Sequence, residues 1–136
     1  MSNFKIRKKE YLEVFASDFS GDIKSKTQAG YYFSENDSTW KLDKNISINV
    51  SKIYNCLHPD LQKSFIQTLA YYAKNKSAGH TFNIFQRFST MLKMTKCNII
   101  NKEMLISYRA MLDRSTEWHI GTVRGFIYKW YDLGYP

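Results

Sequence analysis

The chain has 136 residues, of which 43% are hydrophobic and 16% aromatic. That is one domain, or one domain with an extension, too apolar for a disordered chain and large enough for a sizeable core. A formal net charge of +8 and an isoelectric point near 9.5 favour acidic partners, nucleic acid or an anionic surface. The excess is uneven: residues 1–56 hold nine Lys/Arg against seven Asp/Glu, and residues 57–136 hold eleven against five. No stretch approaches the roughly 20 apolar residues of a membrane span. The N-terminus lacks the apolar centre of a signal peptide. Cys56 and Cys97 have no CxxC or Cys/His ligand spacing and read as free thiols in a reducing compartment. A cytoplasmic location is expected.

In chain order, residues 9–15 could form two helical turns, with Tyr11, Leu12, Val14 and Phe15 along one side, before Ser17-Asp18 and Ser20-Gly21-Asp22 break the pattern. Tyr31-Tyr32-Phe33, Thr39-Trp40-Lys41-Leu42 and the period-two run Ile46-Ser47-Ile48-Asn49-Val50 predict a β-ribbon with one apolar face. It is too small to stand alone, so residues 1–56 read as an extension packed on the helical second half.

Residues 57–136 predict four helices. Pro59 suits a first helical position, and Leu61, Phe65, Leu69, Tyr72 and Ala73 keep helical spacing to about Asn75. After Ser77-Ala78-Gly79 a second helix runs to about Met94, its buried stripe Phe82, Phe85, Phe88 and Leu92. Asn101 and Glu103 open a third helix ending near Asp113, with Met104, Leu105, Tyr108, Met111 and Leu112 inward. Ser115 or Thr116 is the expected cap of the fourth helix, whose stripe is Val123, Phe126, Ile127, Trp130 and Leu133. Gly134 and Pro136 are its stop signal. Short connections make these a compact bundle, so the fold class is mainly α.

Catalysis needs a constellation that is not present: no GxSxG elbow, no HExxH, no phosphate-cradling glycine loop, and His58, His80 and His119 far apart in sequence. The chain reads as non-catalytic, with no metal, no cofactor and no small-molecule substrate. A nucleic-acid surface is better supported. His80, Asn83, Arg87 and Thr90 recur at i, i+3, i+7 and i+10 on the polar face of the second helix. The fourth helix offers Thr122, Arg124, Tyr128 and Lys129, and its entry loop Arg114, Ser115 and Thr116. Lys/Arg and short hydroxyl or amide side chains are what phosphates and base edges call for. The plain alternative is that these are solvated helix faces. A different class of function, a basic helical domain binding an acidic protein, fits the same charge.

Three segments together resemble the N-terminal core-binding domain of tyrosine recombinases, the phage-integrase family: residues 76–88 (KSAGHTFNIFQRF), 100–109 (INKEMLISYR) and 122–130 (TVRGFIYKW). Thr81, Phe85 and Arg87 match the family's Thr, aromatic and Arg of the second helix, and Arg124 before Phe126 and Trp130 matches its last helix. Asp132-Leu133-Gly134-Tyr135-Pro136 looks like the linker to a catalytic domain, and Thr39-Trp40-Lys41-Leu42-Asp43 is similar to an upstream segment of longer members. Gln86 and Gly125 stand where many relatives carry a second basic residue.

The resemblance implies a SAM-like four-helix bundle over about residues 58–134 that clamps duplex DNA through its second and fourth helices. It implies DNA contacts from Lys76, His80, Thr81, Asn83, Arg87, Arg114, Ser115, Thr116, Thr122, Arg124, Tyr128 and Lys129. The Tyr nucleophile, Arg pair, Lys and His of the reaction would belong to a separate C-terminal domain. Self-association with other recombinase protomers on DNA, in a bacterial or phage setting, is implied as well.

Overall fold

The computed structural model describes residues 24–134, so the helical turns expected at 9–15 lie outside the described residues. Four helices follow one another: α1 Pro59–Asn75, α2 Ala78–Thr95, α3 Lys102–Met111 and α4 His119–Asp132. The first three begin where side chains supply the acceptor that a helix start lacks. His58 Nδ1 accepts from the Asp60 N–H at 3.1 Å, Ser77 Oγ from His80 at 3.1 Å, and Asn101 Oδ1 from Met104 at 2.8 Å. At the other ends, α2 stops at Lys96 in the left-handed region (φ 56°) and α4 at Gly134 (φ 108°), the conformation that turns a chain out of a helix.

An aromatic cluster joins three of the helices. The Phe65 ring of α1 lies 5.0 Å from Phe88 of α2, and 5.1 and 5.4 Å from Phe126 and Trp130 of α4, in tilted or edge-on geometry. Such pairs add about 0.5–1.5 kcal/mol each beyond the area they bury. Trp130 Nε1 donates to Ser64 Oγ at 2.9 Å, and Thr81 Oγ1 donates to the Tyr72 carbonyl at 3.1 Å, pinning α2 to α1. The α4 helix rests on α1 and α2, while α3 packs on α2. The expected core residues Leu69, Phe85, Tyr108, Phe126 and Trp130 are buried, with Phe82 and Leu105 partly so. Met111 and Leu133, expected inward, are exposed: Met111 is the last residue of α3, and Leu133 follows the last residue of α4. Ile84 and Met91 are further core residues of α2.

The extension is two hairpins rather than one ribbon. β1 Lys24–Lys26 pairs antiparallel with β2 Tyr32–Ser34, and β3 Thr39–Lys41 with β4 Ser47–Asn49. Gly30 (φ 96°) supplies the positive φ of the first turn. Thr27 Oγ1 ties the hairpins together by donating to the Leu42 carbonyl at 2.9 Å. Phe33 and Trp40 face each other at 4.5 Å, and with Leu42, Ile48 and Val50 they extend one core continuous with that of the helices. The Gln28 N–H donates to the Ala73 carbonyl at 3.0 Å, fastening the first hairpin to the end of α1. A 3-10 helix, Val50–Asn55, leads into α1.

Candidate nucleic-acid interface

The α2 and α4 helices pack against each other, and the contacts of Arg87 and His80 show that they run antiparallel. Arg87, midway along α2, meets Trp118 and the start of α4. His80, at the start of α2, stacks on Tyr72 at 5.8 Å, and the Tyr72 hydroxyl donates to the Gly125 carbonyl, midway along α4, at 3.5 Å. His80, Asn83 and Arg87 therefore form a line along one edge. On α4, a Cβ added at Gly121 or Gly125 would meet nothing within 4 Å, so the backbone there is open to close approach.

Cations on this side rest on aromatic rings. The Arg87 guanidinium lies 4.9 Å from the centre of the Trp118 ring, and its Nε is buried with no hydrogen-bond partner. Lys129 Nζ lies 4.6 Å over Tyr71 of α1. Contacts of this kind contribute about 0.5–1 kcal/mol at exposed positions and fix where the charge sits. His119 is held below the ordinary histidine value, first by burial and then by the Arg87 charge, so it is neutral beside that guanidinium at pH 7.

Several of the predicted contacts are engaged within the protein itself. Thr81 is 0% exposed, and its hydroxyl is engaged with the Tyr72 and Ser77 carbonyls, so it is a helix–helix latch and no DNA contact. Ser115 and Thr116 do not cap α4, which begins at His119 after a turn built on Asp113. Asp113 Oδ1 accepts from both hydroxyls, at 2.7 and 2.9 Å, and from both backbone N–H groups. In this structure the proton of each hydroxyl is given within the turn. Those hydroxyls, Ser115's first, hold the Asp113 carboxyl below its ordinary value. Arg114 is exposed in the same turn, and Lys76 is exposed where α1 ends.

The four polar residues of α4 divide between its two flanks. Thr122 and Arg124 point about 200° apart at 100° per residue. Lys129 and Thr122 face the α1 side, whereas Arg124 and Tyr128 line a cleft between α3 and α4 with Lys102, Leu105, Ile106, Arg109 and Tyr131. Trp118 and Tyr71, which position the cations, and Tyr72, which stacks on His80, were not among the predicted residues. Their signal in the sequence is an aromatic next to the start of α4 and two at the end of α1.

Among the described residues no group of three or more His, Cys, Asp or Glu is placed to hold a metal ion, and no helix is long and apolar enough to cross a membrane. Comparison of the chain with protein-family models, with curated proteins and with solved structures finds no match.

Proposed function

We propose that the chain is a duplex-DNA-binding module that applies α2 and α4 to one groove, as in the core-binding domain of tyrosine recombinases that it resembles. Strand cleavage would be carried out by another domain. The observation that supports this reading is the packing of α4 on α2, with His80 and Asn83 exposed on α2, Arg87 stacked on Trp118, and the backbone at Gly121 and Gly125 open. A guanidinium stacked on an indole presents its outer N–H groups in a fixed fork, the geometry that suits a phosphate. In this reading Arg87, Lys129, Lys76 and Arg114 meet phosphates, and Asn83, with Thr122, reaches base edges or sugars. Thr81, Ser115 and Thr116 are not part of the contact set, and Arg124 and Tyr128 belong to the other flank.

The test is affinity for a 20-bp duplex measured across salt. Each phosphate contact contributes about −0.9 to the slope of log K against log salt. Lys129→Ala and Lys76→Ala are each expected to reduce the slope by about one unit for every sequence. Asn83→Ala is expected to leave the slope alone and relax preference at one base pair, at a cost of about 1–3 kcal/mol. Lys102→Ala, in the α3–α4 cleft, should change neither. Equal losses from Lys102→Ala and Lys129→Ala would mean diffuse attraction and overturn the two-helix docking.

A further inference from the structure

A polar groove runs between α2 and the β3–β4 hairpin, whose strand β4 rests on that helix. It encloses about 350 Å³, within the roughly 300–1,000 Å³ that small-ligand sites occupy. Phe82, Gln86, Thr90 and Lys93 line it from α2, at i, i+4, i+8 and i+11, which is one stripe of a helix. Asn49 at the end of β4 and Lys52 of the 3-10 helix line it from the hairpin side.

The lining is rich in donors and poor in acids. Lys52 and Lys93 are exposed, and among the described residues neither is in an ion pair and no carboxylate lines the groove. Asn49 Oδ1 accepts from the Ser51 hydroxyl, so its amide NH2 is the end left to donate. A second observation points the same way. Ser89 also lines the groove, is 7% exposed, and its Oγ is buried with no hydrogen-bond partner. Hydroxyls inside helices commonly turn back to the carbonyl one turn earlier, as Thr95 does to Met91 at 2.8 Å, but Ser89 does not. A buried donor left unmade is destabilising, so this one suits a ligand oxygen that completes it.

Two cations, several neutral donors and no carboxylate suit an anion with three strong acceptor oxygens. We propose that this groove binds a phosphate group, held between Lys52 and Lys93, with Ser89 donating from the buried side. The partly buried Phe82 ring then walls the space for whatever the phosphate is attached to. Two sources share this chemistry, a nucleic-acid backbone and a free mononucleotide. The inference does not rest on the docking of α2 and α4, because Lys52, Ser89 and Lys93 are outside that contact set.

The test is an amide NMR titration of the labelled full chain with inorganic phosphate, at constant ionic strength set by chloride. Saturating shifts are expected at residues 47–52 and 86–93, and none around Lys102 or Lys129. Lys52→Gln and Lys93→Gln should each weaken affinity about tenfold, the loss of one charge-assisted hydrogen bond. Ser89→Ala should weaken it about threefold or more, yet keep or raise the denaturation midpoint in phosphate-free buffer. A merely structural hydroxyl would do the reverse. Inorganic phosphate contains no duplex, so this arm stands or fails separately from DNA binding. Adenosine monophosphate and a short duplex, titrated in turn, distinguish the sources. A duplex salt slope reduced by about one unit in Lys93→Gln assigns the site to the backbone. An unchanged slope, with the mononucleotide bound more tightly than inorganic phosphate, assigns it to a free nucleotide. Shifts that never saturate, that spread over every lysine, or that survive the Lys52→Gln, Lys93→Gln pair would each overturn the proposal. A lowered midpoint with unchanged affinity in Ser89→Ala would do the same.

Discussion

The two flanks of α4 carry similar numbers of cations and treat them in opposite ways. On the side of α1 and α2, Arg87 rests on Trp118 and Lys129 on Tyr71, so each charge has a fixed address. On the side of α3, Lys102, Arg109 and Arg124 surround an apolar gap, and among the described residues no ring or carboxylate holds them. Charge held in place suits a partner with a fixed repeat, such as the phosphates of a duplex. Charge left loose around a greasy groove suits a partner that brings its own shape. A net charge of +8 does not distinguish the two, but the neighbours of each cation do.

The largest expected effect removes what both flanks share. Trp130→Ala should cost about 3–5 kcal/mol, read as a fall in the denaturation midpoint, because Trp130 meets Phe65, Phe88 and Phe126 and donates to Ser64. A nearly unchanged midpoint would mean that the flanks do not hang on one core. Thr81→Val keeps the shape and removes the hydroxyl bonded to the Tyr72 carbonyl, so it should cost about 1 kcal/mol of stability. Its DNA salt slope should match the wild type; a reduced slope would return Thr81 to the contact set.

A smaller change is expected from Trp118→Ala, about 0.5–1 kcal/mol for an exposed ring that is lost from Arg87. It should leave amide exchange in α3 untouched, and slowed or quickened exchange there would show that the flanks are coupled. The finest probe is the titration of His119 followed by NMR. Burial and, secondly, the Arg87 charge lower its folded value below 6.5, so as pH falls the unfolded chain takes the proton first. Stability should accordingly decline as pH drops below about 6.5 and level off beneath the folded value. Arg87→Gln should raise the His119 value, whereas Arg124→Gln, on the opposite flank, should not move it.

The helices were readable in the chain because apolar stripes and their caps agree. Pro59 stands at the first position of its helix, Ser77 and Asn101 one position before theirs, and each is the residue type that the start requires. The beginning of α4 was not readable in that way. Ser115 and Thr116 are good caps, but Asp113 lies two and three residues upstream, and a carboxylate that close takes their hydroxyls into a turn first. β1 was missed because Lys24, Ser25 and Lys26 contain no apolar residue; its strand is defined only by the partner Tyr32–Ser34. Helical spacing separates Thr122 from Arg124 on α4, but which helix lies on each flank could not be read. Thr122, Arg124, Tyr128 and Lys129 are all polar-face residues, and the placement of α1 and α3 on opposite sides gives the two groups different surroundings.

The three tryptophans fall one to each part of the molecule: Trp40 in the hairpins, Trp130 in the helical core and Trp118 on the outer face. Trp40 and Trp130 are 0% exposed, and Trp118 is 52% exposed. The protein thus contains its own optical reporters. A neutral quencher such as acrylamide reaches the Trp118 indole and is shut out from the other two, so quenchable emission follows the outer face alone. Red-shifting of the protected emission marks loss of the interior instead, and a macromolecule laid across α2 and α4 would shield the one indole that the quencher can find.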